Sequence, residues 1–190
     1  MKIALYLGSF NPFHNGHLEV IKTALNDFKM DKVIIVPTMQ NPWKKEKVLD
    51  IDKRSIIIIN SLIRRKSIAF IPYTFEKDFE IYPYIIISNI EKELIPPYYS
   101  YTTLHALKNK YCNDEIFVLC GEDTIKDIPN WMNGEAIIKD YDFLIVDRPK
   151  DSISSSEIRN IVKNHTENID RLLKECVSEN IINLIKEYYK

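Results

Sequence analysis

The sequence predicts an α/β chain with a doubly wound parallel sheet and a helical C-terminal segment. Three observations lead there. Apolar runs of strand length at residues 3–7, 33–37, 84–90, 115–120 and 142–147 alternate with stretches of helical period. Strands that alternate with helices form a parallel sheet covered on both faces. From residue 154 onward the strand signal stops and the pattern is helical to the end.

The elements follow in order. Residues 3–7 (Ile-Ala-Leu-Tyr-Leu) read as the first strand, 8–17 as a tight loop, and 18–28 as an amphipathic helix. Residues 33–37 are a β-branched run, hence a buried second strand. A polar, basic loop spans 38–49. Residues 52–65 have helical period and end in Arg64 and Arg65, as the helix dipole favours. The tract 67–84 holds many aromatics and two prolines and carries no clear period. Strand 84–90, helix 99–111 and strand 115–120 come next. A short helix after Gly121-Glu122-Asp123 leads through 131–139 to strand 142–147. Helices are expected at 154–163, 167–176 and 177–189. With no repeat and no dividing linker, residues 1–190 read as one domain of Rossmann-like type, with 151–190 as its helical part.

Composition narrows the function. The 190 residues are 45% hydrophobic and 28% charged, the balance of an ordinary globular protein. A net charge of −1 argues against general nucleic-acid binding. The three cysteines lack metal-ligand spacing and suit a reducing cytoplasm. No apolar run is long enough to span a bilayer, and no small-residue cleavage site follows the apolar start. Nothing in the chain sets the oligomeric state, so a homo-oligomer is compatible with it.

The most informative stretch is Gly8-Ser9-Phe10-Asn11-Pro12-Phe13-His14-Asn15-Gly16-His17, between the first strand and the first helix. Ligands bind in such sheets beyond the carboxyl ends of strands. Gly8 allows close backbone approach and Pro12 stiffens the turn. His14 and His17 lie on one face of a helix start. Two imidazoles beside the N–H groups of a helix start make an anion site suited to a polyphosphate. A second stretch, Ile153-Ser154-Ser155-Ser156-Glu157-Ile158-Arg159, opens another helix. Its serines suit a plain helix cap. The same helix start, with Arg159 one turn in, also suits phosphate oxygens.

His14-Asn15-Gly16-His17 resembles the H-x-G-H signature of the nucleotidyltransferase superfamily, and Ile153 to Arg159 resembles that superfamily's second signature. Over nearly the whole chain the similarity is greatest to the bacterial nicotinate-mononucleotide adenylyltransferases. It includes Pro37 with Trp43-Lys44, Ile90-Glu91 with Tyr99, Ser100, Thr103 and Leu104, Gly121-Glu122-Asp123 with Trp131, and Arg148-Pro149. Four places depart from the pattern. Asn11 stands for a usual Asp, Trp43 and Thr38 for His and Asn, and Tyr98 and Ser100 for Ser and Thr. The connection at 150–152 is short, while the tract at 66–84 is correspondingly long. Gly-Ser-Phe-Asn-Pro is also similar to the eukaryotic nicotinamide-mononucleotide enzymes.

The resemblance implies transfer of AMP from ATP to nicotinate mononucleotide, with release of pyrophosphate and Mg²⁺ carried by the ATP phosphates; no dedicated metal ligands are expected. His14, His17, Lys44 and Arg159 are the implied catalytic residues. Gly8, Ser9, Phe10, Gly121, Asp123, Ile153 and Ser154 to Ser156 join His14, His17 and Arg159 around ATP. Lys44, Tyr99, Ser100, Trp131 and Arg148 would meet the mononucleotide. Read from residue type alone, Lys44 and Lys45 also suit a solvated charge run, Trp131 a core aromatic and Arg148 a surface ion pair. The alternatives are the same chemistry on nicotinamide mononucleotide or pantetheine phosphate, or a non-catalytic nucleotide-binding module. The intact His14, His17 and Arg159 speak against the last.

Overall fold

The computed structural model describes residues 1–39, 48–63, 78–147, 153–164 and 167–190, apart from the Phe79 side chain. In chain order the elements are β1 (Lys2–Gly8), α1 (Asn15–Asn26), β2 (Lys32–Pro37), α2 (Ile51–Leu62), β3 (Phe79–Tyr82) and β4 (Ile85–Ile87). There follow α3 (Ser100–Lys110), β5 (Glu115–Gly121), α4 (Glu122–Asp127), α5 (Gly134–Asp140) and β6 (Asp142–Val146). Helices α6 (Ser155–Asn164), α7 (Ile169–Cys176) and α8 (Ile182–Tyr188) close the chain.

The strands form one six-stranded sheet in the order β3-β4-β2-β1-β5-β6. The chain builds outward from β1 through β2 to β4, then crosses to β5 and β6 on the other side. This is the doubly wound arrangement, with its switch point between β1 and β5. Strand periodicity explains how both faces are filled. In β1 and β2, Ala4, Tyr6, Val33 and Ile35 face a core shared with α1, α2, α6, α7 and α8. Their neighbours Ile3, Leu5, Ile34 and Val36 face a second core, closed by Leu104 and Leu107 of α3 and Ile137 of α5.

Two expectations need correction. The segment 84–90 is not one strand: β4 stops at Ile87 and a 3-10 turn follows at Ile90–Lys92. The carboxylate of Asp78 ends the ladder by accepting hydrogen bonds from the Ser88 hydroxyl at 2.9 Å and the Asn89 N–H at 3.0 Å. The unassigned tract before it supplies β3, which pairs antiparallel with β4, so the sheet is parallel except at that edge. The last helix likewise starts late, because Ser178 opens a 3-10 turn at Glu179–Ile181 before α8 begins.

The pairing between β1 and β5 runs only from Lys2–Glu115 to Leu5–Val118. Beyond it, β1 stays in register with β2 as far as Gly8–Pro37, and β5 with β6 as far as Gly121–Val146. The two halves of the sheet therefore part at their carboxyl ends. The crevice of the switch point opens there.

Candidate active site

The loop leaving β1 folds back on itself. Phe10 has a φ of 44°, and its ring sits where a side chain on residue 8 would be, 2.9 Å from the position of a Cβ. A side chain at position 8 would meet the Phe10 ring, so glycine suits it, and a ligand can approach only from the other side of its backbone. Phe10 is 2% exposed, so only its backbone can face a nucleotide. Its ring meets His17 edge-on at 5.0 Å, while Phe13 stacks on His17 at 5.3 Å.

His14 is the N-cap of α1, and the two histidines cap the helix reciprocally. The Gly16 N–H donates to His14 Nδ1 at 3.1 Å, and the His14 N–H donates to His17 Nδ1 at 3.2 Å. Each Nδ1 is an acceptor, so the neutral rings carry their protons on Nε2. The ring centroids are 3.7 Å apart. Two N–H donors are thus aligned by one helix turn, an arrangement able to neutralise an oxyanion. Both side chains are nearly buried, His14 3% and His17 8% exposed. Aromatic packing holds them rigid.

The second motif docks onto this loop. The Ser155 hydroxyl donates to the Pro12 carbonyl at 2.8 Å, and Arg159 Nη1 donates to the Asn11 carbonyl at 2.6 Å, across 148 residues of chain. Arg159 Nη2 also donates to Ser156 Oγ at 3.0 Å. Ser154 and Glu157 form a capping box: the Ser154 N–H donates to the Glu157 carboxylate at 2.6 Å, and the Glu157 N–H to Ser154 Oγ at 3.2 Å. The Ser154 hydroxyl and N–H hold the Glu157 carboxyl below its ordinary range, with a smaller contribution from His14. All three serines thus have structural partners, and Ile153 packs against the larger core.

A cavity of about 240 Å³ lies on the other side of the loop, lined by Gly8, Ser9, Met39, Tyr99, Ser100 and Trp131 among others. The Trp131 Nε1–H donates to Asp127 at 2.9 Å, which fixes the indole plane. Tyr99 is the N-cap of α3 and makes no side-chain capping bond there. A wider cavity of about 700 Å³ is lined by Asn11, Lys53, Ser156, Arg159 and Lys163. Gly121 is buried at the end of β5, whereas Asp123 is exposed on α4 and lies outside both linings. Trp43, Lys44, Lys45, Arg148 and the 150–152 connection lie outside the described residues.

The profile of the cytidylyltransferase-like family matches residues 5–161, and with them both motifs. The chain belongs to this family. A relative from Flavobacterium johnsoniae, named as a nicotinate-nucleotide adenylyltransferase, is 33% identical over 98% of this chain and 88% of its own length. One of the same name from Cytophaga hutchinsonii is 29% identical over 100% of this chain and 98% of its own. Among solved structures, the Plasmodium falciparum nicotinic acid mononucleotide adenylyltransferase complexed with NaAD has a TM-score of 0.70 at 20% identity, covering 98% of this chain and 95% of that one. This last likeness concerns the shared α/β fold. The β1–α1 loop and the start of α6, which carry the two motifs, both fall within the family match.

Sequence reasoning gave no role to three side chains at this site. Arg54 is 1% exposed; its Nε donates to the Leu49 carbonyl and its Nη1 to the Ser9 carbonyl, each at 2.6 Å. Burial pulls its guanidinium down to about 10. Glu91, also 1% exposed, accepts from the Met39 N–H and from the Thr103 hydroxyl, and burial pushes its carboxyl up. Tyr189 donates its hydroxyl to Asn11 Oδ1 at 2.8 Å, and burial raises its phenol. The usable signal was Arg54 itself: a cation three and four residues before Ile57 and Ile58 shares the apolar face of its helix. Among the described residues no group of three or more His, Cys, Asp or Glu could hold a metal, and no helix is long and apolar enough to cross a membrane.

Proposed function

We propose that this protein transfers the AMP group of ATP to nicotinate mononucleotide, forming deamido-NAD and pyrophosphate. The observation that carries the reading is the docking of α6 on the β1–α1 loop. Arg159 on the Asn11 carbonyl and Ser155 on the Pro12 carbonyl bring the paired histidines and a guanidinium to one loop. Tyr99 and Trp131 line a cavity on the loop's other side. The relatives' shared name supports the acceptor.

A phosphate oxygen of the mononucleotide attacks the α-phosphorus in line. A P–O bond forms there as the bond to the bridging β-phosphate oxygen breaks, and pyrophosphate leaves with the electron pair. The attacking phosphate is ionised at neutral pH, so no general base is required, and catalysis rests on positioning and charge neutralisation. His14 and His17 donate from Nε2 to the α-phosphate, while Arg159 and the serines hold the departing phosphates. Mg²⁺ arrives with ATP. Lys44 is assigned to the approaching phosphates, Asp123 and Gly121 to the ribose, and Arg148 to the mononucleotide. Trp131 stacks on the pyridine ring. The first-turn N–H groups of α3 suit the nicotinate carboxylate. The enzyme works in the cytoplasm with its soluble substrates.

A pyrophosphate-release assay with Mg-ATP and a panel of acceptors tests this. Release is expected with a pyridine mononucleotide and not with ATP alone. Turnover with pantetheine phosphate and none with either pyridine mononucleotide would overturn the assignment.

A further inference from the structure

A nearly inaccessible arginine and a nearly inaccessible glutamate lie beneath the cleft, and neither belongs to the chemistry proposed above. We infer that Arg54 and Glu91 are a positioning pair that sets the spacing of the loops on which the substrates rest. The inference takes the proposed cleft as the place of reaction.

The contacts of the two side chains divide the cleft between them. Arg54 holds Ser9, in the loop after β1, and Leu49, at the entry to α2, through two carbonyls at 2.6 Å. Glu91 holds the Met39 N–H, after β2, and the Thr103 hydroxyl of α3, the latter at 2.7 Å. Ser9 and Met39 both line the smaller cavity, and Leu49 lines the larger. Burial pushes the Glu91 carboxyl up, opposed by the hydrogen bonds from Met39 and Thr103 and, more weakly, by attraction to Arg54. A neighbouring ion pair, Lys92 with Asp52, joins the same turn to the same helix.

Chemistry explains why these residue types are used. A guanidinium can donate to two carbonyls in fixed directions and remains charged when buried; an ammonium is a point donor. The bond to the Ser9 carbonyl lies next to the positive-φ bend at Phe10, and Asn11, one residue further, is where Arg159 docks. Arg54 therefore acts on His14 and His17 through the backbone and touches no substrate. Replacing one member of a buried charged network leaves the rest poorly compensated, so both ends of the cleft should respond.

The test is Arg54→Lys in the full chain, read by steady-state kinetics and by amide hydrogen exchange without ligand. The expected kcat falls at least about tenfold, KM for ATP changes less than about threefold, and exchange quickens at residues 9–14 and 39 but not in β2 or β5. Millimolar guanidinium, and not sodium chloride, should restore part of the activity of Arg54→Ala. Should either variant fail to fold, Glu91→Gln is read in the same way and should quicken exchange at Met39. Unchanged loop exchange, a kcat within about twofold of the parent, or a uniform rise in exchange across the sheet would overturn the pairing. The exchange readout needs no substrate, so it separates failure of this inference from failure of the proposed reaction.

Discussion

The two sides of the cleft are built differently. On the side proposed for the phosphates, His14 and His17 are almost wholly buried, cap their helix reciprocally, and lie against Phe10 and Phe13. On the side proposed for the mononucleotide, Tyr99, Ser100 and Trp131 are only half-buried, and the cavity wall comes from several separate segments. Charge that develops during a reaction is stabilised best by donors that need no rearrangement. A ring and its substituent are recognised by shape and a few hydrogen bonds, which surface residues can supply and vary. The rigid side should therefore govern turnover, and the open side should govern which acceptor is used.

The largest effect should come from His17. In His17→Asn the amide can keep the hydrogen bond from the His14 N–H, but the donor to the phosphate moves. A loss of on the order of a hundredfold in kcat/KM is expected, with a smaller fall in melting temperature than in His17→Ala because the capping bond is kept. His17→Ala should lose as much activity and also stability, since a buried ring is removed from among Phe10, Phe13 and Tyr6. Near-normal turnover in a folded His17→Asn would break the contrast between the two sides.

Arg159→Ala comes next, with a loss of at least about tenfold in kcat/KM. It also removes the bond to the Asn11 carbonyl, so activity should fall more than in Ser155→Ala, which loses only a neutral contact to Pro12. Equal losses in the two would make Arg159 a strut and nothing more.

Acceptor choice tests the open side. Comparison of kcat/KM should favour nicotinate over nicotinamide mononucleotide by about tenfold, equivalent to about 1.4 kcal/mol. A preference for the amide would reassign the acceptor and leave the phosphate side as described.

The smallest effect belongs to Glu157, exposed at the start of α6. Its carboxyl lies below the ordinary value of 4.5 because the Ser154 hydroxyl and N–H favour the ionised form. A carboxylate depressed in the folded state stabilises above its unfolded value, and that contribution is lost as the pH falls through the folded one. Glu157→Gln should thus melt slightly below the parent at neutral pH. The gap should close as the pH drops below 4.5. A gap that widens in acid would contradict the capping geometry.

The phosphate side was the more legible in sequence because its chemistry is written in local runs. Spacing placed His14 and His17 at one helix start and the serines at another, while the reciprocal capping of the histidines and the part of Glu157 came from the structure. Trp131 remained balanced between core aromatic and ring platform, and the structure gives it both surroundings: it lines the cavity and packs against the second core. The hairpin β3–β4 was not legible, because its end is set by Asp78 through hydrogen bonds that leave no periodic trace.

By itself the sequence determined the alternation of strands and helices, the buried character of β1 and β2, and the two motifs proposed to hold phosphate. Each depends on side-chain type repeated at a local period, or on a cap spanning a few residues. Tertiary structure alone decided which distant groups meet: Ser155 with Pro12 across 143 residues and Tyr189 with Asn11 across 178. It also decided that Arg54 and Glu91 would each be buried, one bonded to the Ser9 carbonyl and the other to the Met39 N–H. A buried polar group must find a partner, but its choice depends on which segments the sheet order makes neighbours. That order places β1 between β2 and β5, and so opens the crevice beside Gly8.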